Sequence, residues 1–149
     1  MPDILHRISI DAPRERVHDL VATTDGIALW WTNRPLTGDG TVGSHLGVYF
    51  GDVEKAAAVM EVVSDTPDEV VWRVVEGPDE WVDTLITFAL RATSSGGTTL
   101  LFSHAGWRVA SEFMSGCSTN WGAYLTSLKR GVEGNGFSAY PASEISRWG

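Results

Sequence analysis

Apolar residues recur every three or four positions between Ser111 and Val132, which predicts the longest helix of the chain. Six residues form this stripe: Met114, Cys117, Trp121, Leu125, Leu128 and Val132. Ser111 suits the N-cap position, and Lys129 and Arg130 suit the last turn, where cations are favoured. Because the helix has one apolar face, it needs a surface against which to bury that face.

The N-terminal part of the chain predicts one strand and two short helices. Ile4–Ile10 alternates apolar and polar residues, which is the period of a strand. Pro13 suits the first turn of a helix, with Asp11 or Ala12 as its cap. A second short helix follows on the i, i+3, i+4 spacing of Ile27, Trp30 and Trp31.

Most of residues 44–107 predict strands separated by turn residues. After a short strand that begins near Leu46, the expected strands are Lys55–Ser64, Glu69–Val75, Trp81–Ala92 and Thr98–Trp107. The run of three alanines at 56–58 leaves a helix open as the alternative for the first of these. Successive hairpins predict an antiparallel meander, and the long helix laid across it gives an α+β fold that buries both apolar faces.

Composition narrows the classes of function. The 149 residues predict one domain, residues 1–136, followed by an irregular tail, residues 137–149. A net charge of −8 disfavours nucleic acid and anionic membrane surfaces, and no apolar run is long enough for membrane insertion. The single cysteine, Cys117, and an N-terminus without signal-peptide features predict a cytoplasmic protein.

The order of elements resembles the START-like, or SRPBCC, superfamily, whose helix-grip fold is also called Bet v 1-like. The motifs that carry the resemblance are 8–13 with Val17, Leu29-Trp30-Trp31, Val71-Trp72, 97–107, and 121–125 with Leu128. Within this superfamily the sequence is similar to the group named for the activator of Hsp90 ATPase, whose small bacterial members are often described as polyketide cyclase-like. The resemblance implies a curved antiparallel sheet of about six strands around the C-terminal helix, with a cavity between them.

The candidate lining of that cavity is mainly aromatic. The residues are Trp30, Trp31, Trp72, Phe88, Phe102, His104, Trp121 and Tyr124. Each tryptophan either lines a pocket for a flat apolar ligand or fills the core. His104 either serves a ligand or a reaction, or is a core histidine bonded to a backbone carbonyl. Cys117, on the apolar stripe, is expected to be an inert buried thiol.

The leading hypothesis is a protein that binds an apolar or aromatic small molecule, such as a lipid or polyketide, without covalent chemistry. One alternative is a cyclase or dehydratase that uses His104 as its acid or base, and another is a module that binds a protein partner. No cofactor and no metal are expected, because no His, Cys, Asp or Glu residues show the spacing of metal ligands. The edges of an open sheet allow a homodimer, which the sequence does not decide.

Overall fold

The described residues form six strands and three α-helices in the order predicted from the sequence. The structure is a computed structural model, and it describes residues 1–139 and Ser146. The elements are β1 Ile4–Ile10, α1 Arg14–Ala22, α2 Thr24–Trp30, β2 His45–Val48, β3 Ala58–Thr66, β4 Glu69–Glu76, β5 Leu85–Ala92, β6 Thr98–Ala105 and α3 Glu112–Arg130. A π-helical turn, Gly131–Asn135, extends α3.

The six strands make one curved antiparallel sheet in the order β1-β6-β5-β4-β3-β2. The helices between β1 and β2 carry the chain from one edge of the sheet to the other. Burial alternates along the strands, as in Glu69–Glu76, where Val70, Trp72 and Val74 are buried and their neighbours are not. The buried positions form the inner face, which packs on the helices. The other positions form the outer face, which no helix within residues 1–139 covers.

Helix α3 lies against the inner face and is fixed at both ends. Ser111 caps its N-terminus, because the side-chain oxygen accepts a hydrogen bond from the Met114 amide at 3.1 Å. Lys129, in the last turn, donates to the Ser9 carbonyl of β1 at 2.7 Å. His6 of β1 is 3.1 Å from the Ser118 carbonyl through Nε2, so the first strand and the last helix hold each other in register.

Several predicted boundaries are wrong, although the elements themselves are present. Strand β5 begins at Leu85 and not at Trp81, because the chain turns at Asp83, whose φ is +69°. Strand β3 begins at Ala58, and the helical alternative for the alanine run is wrong. Pro13 is the N-cap of α1 and not a residue of its first turn.

The predicted tail, residues 137–149, lies mostly outside the described residues. Of the described part, Phe137 is close to Gly131: a Cβ added to that glycine would come within 2.1 Å of the Phe137 ring. The glycine therefore allows the chain to fold back over the end of α3.

Candidate functional site

The structure brings all eight predicted lining residues into one cluster between the sheet and α3. We call these eight residues, from Trp30 to Tyr124, the aromatic core. Each of them is buried, and Tyr124 is the most exposed at 6%. They come from α2 and its C-cap Trp31, and from β4, β5, β6 and α3. Trp30 and Tyr124 are 94 residues apart in sequence, so only the tertiary fold assembles the cluster.

The rings of the aromatic core touch one another. Trp121 is its centre: its ring centroid lies 4.6 Å from that of Phe102 and 5.0 Å from that of Trp31. Trp31 in turn stacks on Trp72 at 5.8 Å, and Trp72 meets Phe88 edge to face at 4.9 Å. These separations are those of favourable aromatic pairs, so the rings fill the space between helix and sheet by packing on each other.

A chain of hydrogen bonds runs through His104. The Trp121 indole nitrogen donates to His104 Nδ1 at 3.2 Å, and His104 Nε2 is 2.7 Å from the Thr84 hydroxyl. An indole N–H is only a donor, so Nδ1 is the accepting nitrogen and Nε2 carries the proton and donates to Thr84. The Thr84 hydroxyl donates in turn to the Trp81 carbonyl at 2.5 Å. Both nitrogens of the imidazole are therefore occupied by side chains of the protein.

Burial governs the titration of the two groups that could carry chemistry here. It lowers the pKa of His104 to about 3, because the charged imidazolium would lose its hydration. Burial also raises the pKa of the Cys117 thiol to about 11, against a hydrogen bond from Trp81 that acts in the opposite direction. At neutral pH the imidazole and the thiol are both uncharged.

Two residues that the sequence did not single out belong to the site. Thr84 is a polar residue on the apolar side of the predicted strand, and that mismatch was the available signal. Phe50 follows β2, and its ring lies 6.0 Å from that of Trp31 and 6.2 Å from that of Tyr124. Phe50 continues the alternation of Leu46 and Val48, which was the available signal, although β2 itself ends at Val48.

Neither a metal centre nor a membrane span is found in the described residues. Within residues 1–139 and Ser146, no three His, Cys, Asp or Glu side chains come together as ligands would. No helix in the same part of the chain combines the length and the apolarity that crossing a bilayer requires.

Comparison with known proteins agrees with this fold and identifies the family. The model of the family "Activator of Hsp90 ATPase homolog 1-like protein" matches residues 11–133, which include the whole aromatic core. The chain belongs to this family. Members of the activator of Hsp90 ATPase homologue 1-like family are thus its relatives in sequence as well as in fold. No curated protein sequence matches the chain.

Solved structures of similar proteins include one at higher and two at lower identity. The solution structure of the Aha1 dimer from Colwellia psychrerythraea is 33% identical, covers 91% of this chain and 98% of that one, and gives a TM-score of 0.80. CalU16 from Micromonospora echinospora is 20% identical over 89% of this chain and 75% of that one, with a TM-score of 0.69. DynU16, a protein of the dynemicin biosynthetic locus, is 23% identical, with a TM-score of 0.72. The match with DynU16 covers 93% of this chain and 49% of DynU16. The last two show the fold alone.

Proposed function

We propose that this family member binds a flat apolar or aromatic small molecule between the sheet and α3, without covalent chemistry. The observation that carries the proposal is the aromatic core, in which rings from five elements face one another across the space between helix and sheet. Ligand sites in proteins are typically apolar and aromatic, with few polar groups. Family membership supports a ligand-binding fold, and the ligand class is our inference from the residues.

Because the rings of the aromatic core already pack on each other and on Phe50, a ligand must take the place of one of these rings. Phe50 is the best candidate, since it is only half-buried and lies on the connection between β2 and β3, residues 49–57. The other rings of the cluster lie on strands or helices or directly at their ends. A ligand ring that replaced Phe50 would contact the rings of Trp31 and Tyr124.

His104 has a positioning role in this proposal. Its imidazole accepts from the Trp121 indole and donates to Thr84, so it fixes the ring at the centre of the aromatic core. The alternative of an enzyme that uses His104 as acid or base is not favoured, because both nitrogens are engaged and a pKa of about 3 gives neither a proton donor nor a strong base at neutral pH. The protein-partner alternative and a cytoplasmic location stay predictions.

We expect Phe50→Ala to bind an uncharged aromatic probe, N-phenyl-1-naphthylamine, roughly tenfold more tightly than the wild type, because the probe no longer competes with the phenyl ring. The measurement is a titration followed by quenching of tryptophan fluorescence and by probe emission. Val53→Ala is the matched control, since Val53 is an exposed apolar residue of the same connection. Its affinity for the probe should equal that of the wild type.

The same titration can refute the proposal. If neither the wild type nor Phe50→Ala binds the probe saturably, while both unfold cooperatively, the aromatic core is a packed interior and not a site. If Val53→Ala strengthens binding as much as Phe50→Ala does, the effect comes from a looser connection and not from the vacated ring position.

We also propose that the protein forms a homodimer. Two observations favour this: the 33% identical structure from Colwellia psychrerythraea is described as a dimer, and several large apolar side chains of the sheet are exposed. Sedimentation or size-exclusion chromatography with light scattering tests it directly. A mass of one chain over a wide concentration range would contradict it.

A further inference from the structure

The outer face of the sheet exposes leucines from three of its strands. Leu5 of β1 is 71% exposed, Leu85 of β5 is 40% exposed and Leu101 of β6 is 39% exposed. Because α1, α2 and α3 pack on the other face, nothing in the described residues covers them. Ser103 and Thr87 lie between these leucines, so the face exposes separate apolar side chains among hydroxyl groups. Large apolar side chains exposed on one face of a sheet are a feature of interaction sites.

One row of residues across this face carries opposite charges at its two ends. The pairing of β1, β6, β5 and β4 places Arg7 beside Leu101, Leu101 beside Ala89 and Ala89 beside Glu69. The row therefore reads basic, apolar, apolar, acidic from the β1 edge inward. Arg7 and Glu69 are both exposed, and neither forms a salt bridge with another described residue.

The neighbouring row carries no charges, and its side chains are of the same kind at matching positions from the two ends. It consists of Leu5, Ser103, Thr87 and Val71. Read from either end, the row is apolar, hydroxyl, hydroxyl, apolar. A surface that reads alike from both ends, and whose charges exchange sign between the ends, is complementary to a copy of itself turned by 180°.

The third row also has opposite charges at its two ends, but both charged groups already have partners within the chain. Arg73 of β4 lies beside Leu85, and Leu85 lies beside Ala105. At the β1 end, Asp3 accepts a hydrogen bond from the Gly106 amide at 3.0 Å, so an acid lies where the row ends. This row runs acidic to basic, opposite to the Arg7 row. Arg73 already pairs within its own chain, with two acids at 3.0 and 3.1 Å, so its charge is less available.

We propose that the outer face is the interface of the homodimer, with a two-fold axis parallel to the strands between β5 and β6. This inference rests on the homodimer proposed above. Strands are spaced by about 4.8 Å, so Arg7 and Glu69 lie roughly 7 Å on either side of that axis. Rotation by 180° then places Arg7 of one copy opposite Glu69 of the other, twice. It also places Leu5 opposite Val71 and centres the interface on Leu101 and Ala89.

The packing of two sheets is compatible with these pairs. Stacked sheets lie about 10 Å apart, and their strands are rotated relative to each other by about 30°. At the distance of Arg7 from the axis, this rotation displaces Arg7 from the opposing Glu69 by a few Å, which the long arginine side chain can span. A groove of about 550 Å³ lies beside the same residues, and its lining includes Glu69, Ala89 and Leu101, together with Arg91 and the ion pair of Arg14 with Asp68. The rotation directs Arg7 of the other copy into this groove, so the second copy fills surface that one copy leaves open.

Charge reversal tests the interface. Arg7→Glu and Glu69→Arg should each raise the dimer dissociation constant by about tenfold or more, because each places like charges opposite one another twice. An equimolar mixture of the two variants should form a heterodimer with near wild-type affinity, since one pair regains its original charges and the other has them exchanged. Analytical ultracentrifugation gives the constants, and native mass spectrometry separates the heterodimer by mass. Lys55→Glu and Glu54→Arg are the charge-matched controls, and both lie on the exposed connection 49–57.

The possible results distinguish failure of the homodimer proposal from failure of the proposed interface. If the wild type is monomeric throughout, the homodimer proposal fails and the interface fails with it. If the wild type is a dimer but Arg7→Glu and Glu69→Arg leave its dissociation constant unchanged, the homodimer stands and this interface is overturned, with the sheet edges as the next place to look. If the variants weaken the dimer and their mixture does not restore it, the opposition of Arg7 and Glu69 is overturned. Restoration by the mixture, with the controls at wild-type affinity, supports the proposal.

Discussion

Trp121→Ala should lower the free energy of unfolding by about 3–5 kcal/mol, the usual cost of truncating a large buried aromatic residue. Trp121 is 2% exposed and packs against Phe102 and Trp31 at 4.6 and 5.0 Å. The change also removes the donor that satisfies His104 Nδ1, which leaves a buried acceptor without its partner. Urea denaturation at pH 7.5 measures the loss.

Two companion variants separate the contributions. Trp121→Phe keeps most of the ring volume and removes the indole donor, so its cost should be smaller, about 1–3 kcal/mol. Val109→Ala changes an apolar residue that is 60% exposed and should stay within about 0.5 kcal/mol of the wild type. Equal stability of Trp121→Ala and Val109→Ala would contradict the central place that we give to Trp121.

His104→Gln should flatten the dependence of stability on acid pH. The pKa of His104 is about 3 in the folded state and takes its ordinary value of 6.5 when the chain unfolds. Between these two values the unfolded chain binds a proton that the folded chain does not, so stability falls as pH falls from 6.5 toward 3. At full slope this loss is about 1.4 kcal/mol per pH unit, and glutamine does not titrate.

The measurement is the difference between two slopes. Unfolding free energies of wild type and His104→Gln at pH 7.5, 6.5, 5.5 and 4.5 share the contribution of the carboxylates, which cancels when the two curves are subtracted. The glutamine variant should be less stable at pH 7.5, because its amide does not match the imidazole, but its curve should be flatter below pH 6.5. Val109→Ala, which changes no titratable group, should keep the wild-type slope. Parallel curves for wild type and His104→Gln would show that the imidazole is not held neutral by burial.

Under our proposal, a ligand site and a stable core share one cluster of rings, and Trp121 and His104 belong to the stable part. Trp121 and His104 hold each other through a buried hydrogen bond and belong to the part that must stay fixed. Phe50 is half-buried on a connection, so its displacement costs less packing than that of any ring on a strand or helix. Under our proposal the first pair supplies the wall of the site, and Phe50 supplies the exchangeable contact.

Much of the fold follows from local rules that the sequence displays. The stripe from Met114 to Val132, the Ser111 cap and the basic last turn together determine α3, because a helix repeats every 3.6 residues and its ends need specific partners. The alternation in β1 and the Ser94–Gly97 turn determine strands in the same way. The boundaries at Trp81 and Pro13 were wrong because backbone angles at a turn, such as φ of +69° at Asp83, leave no trace in hydrophobic periodicity.

The sequence by itself determined which side chains point inward, and so which residues could form an aromatic core. Only the tertiary structure decided that those rings touch one another, that both nitrogens of His104 are occupied by Thr84 and Trp121, and that Phe50 closes one end. The same holds for the outer face, where strand pairing brings Arg7, Leu101 and Glu69 into one row. The physical reason is that periodicity is a local property of the chain, whereas contacts between distant residues depend on strand register and on the volume that all side chains share.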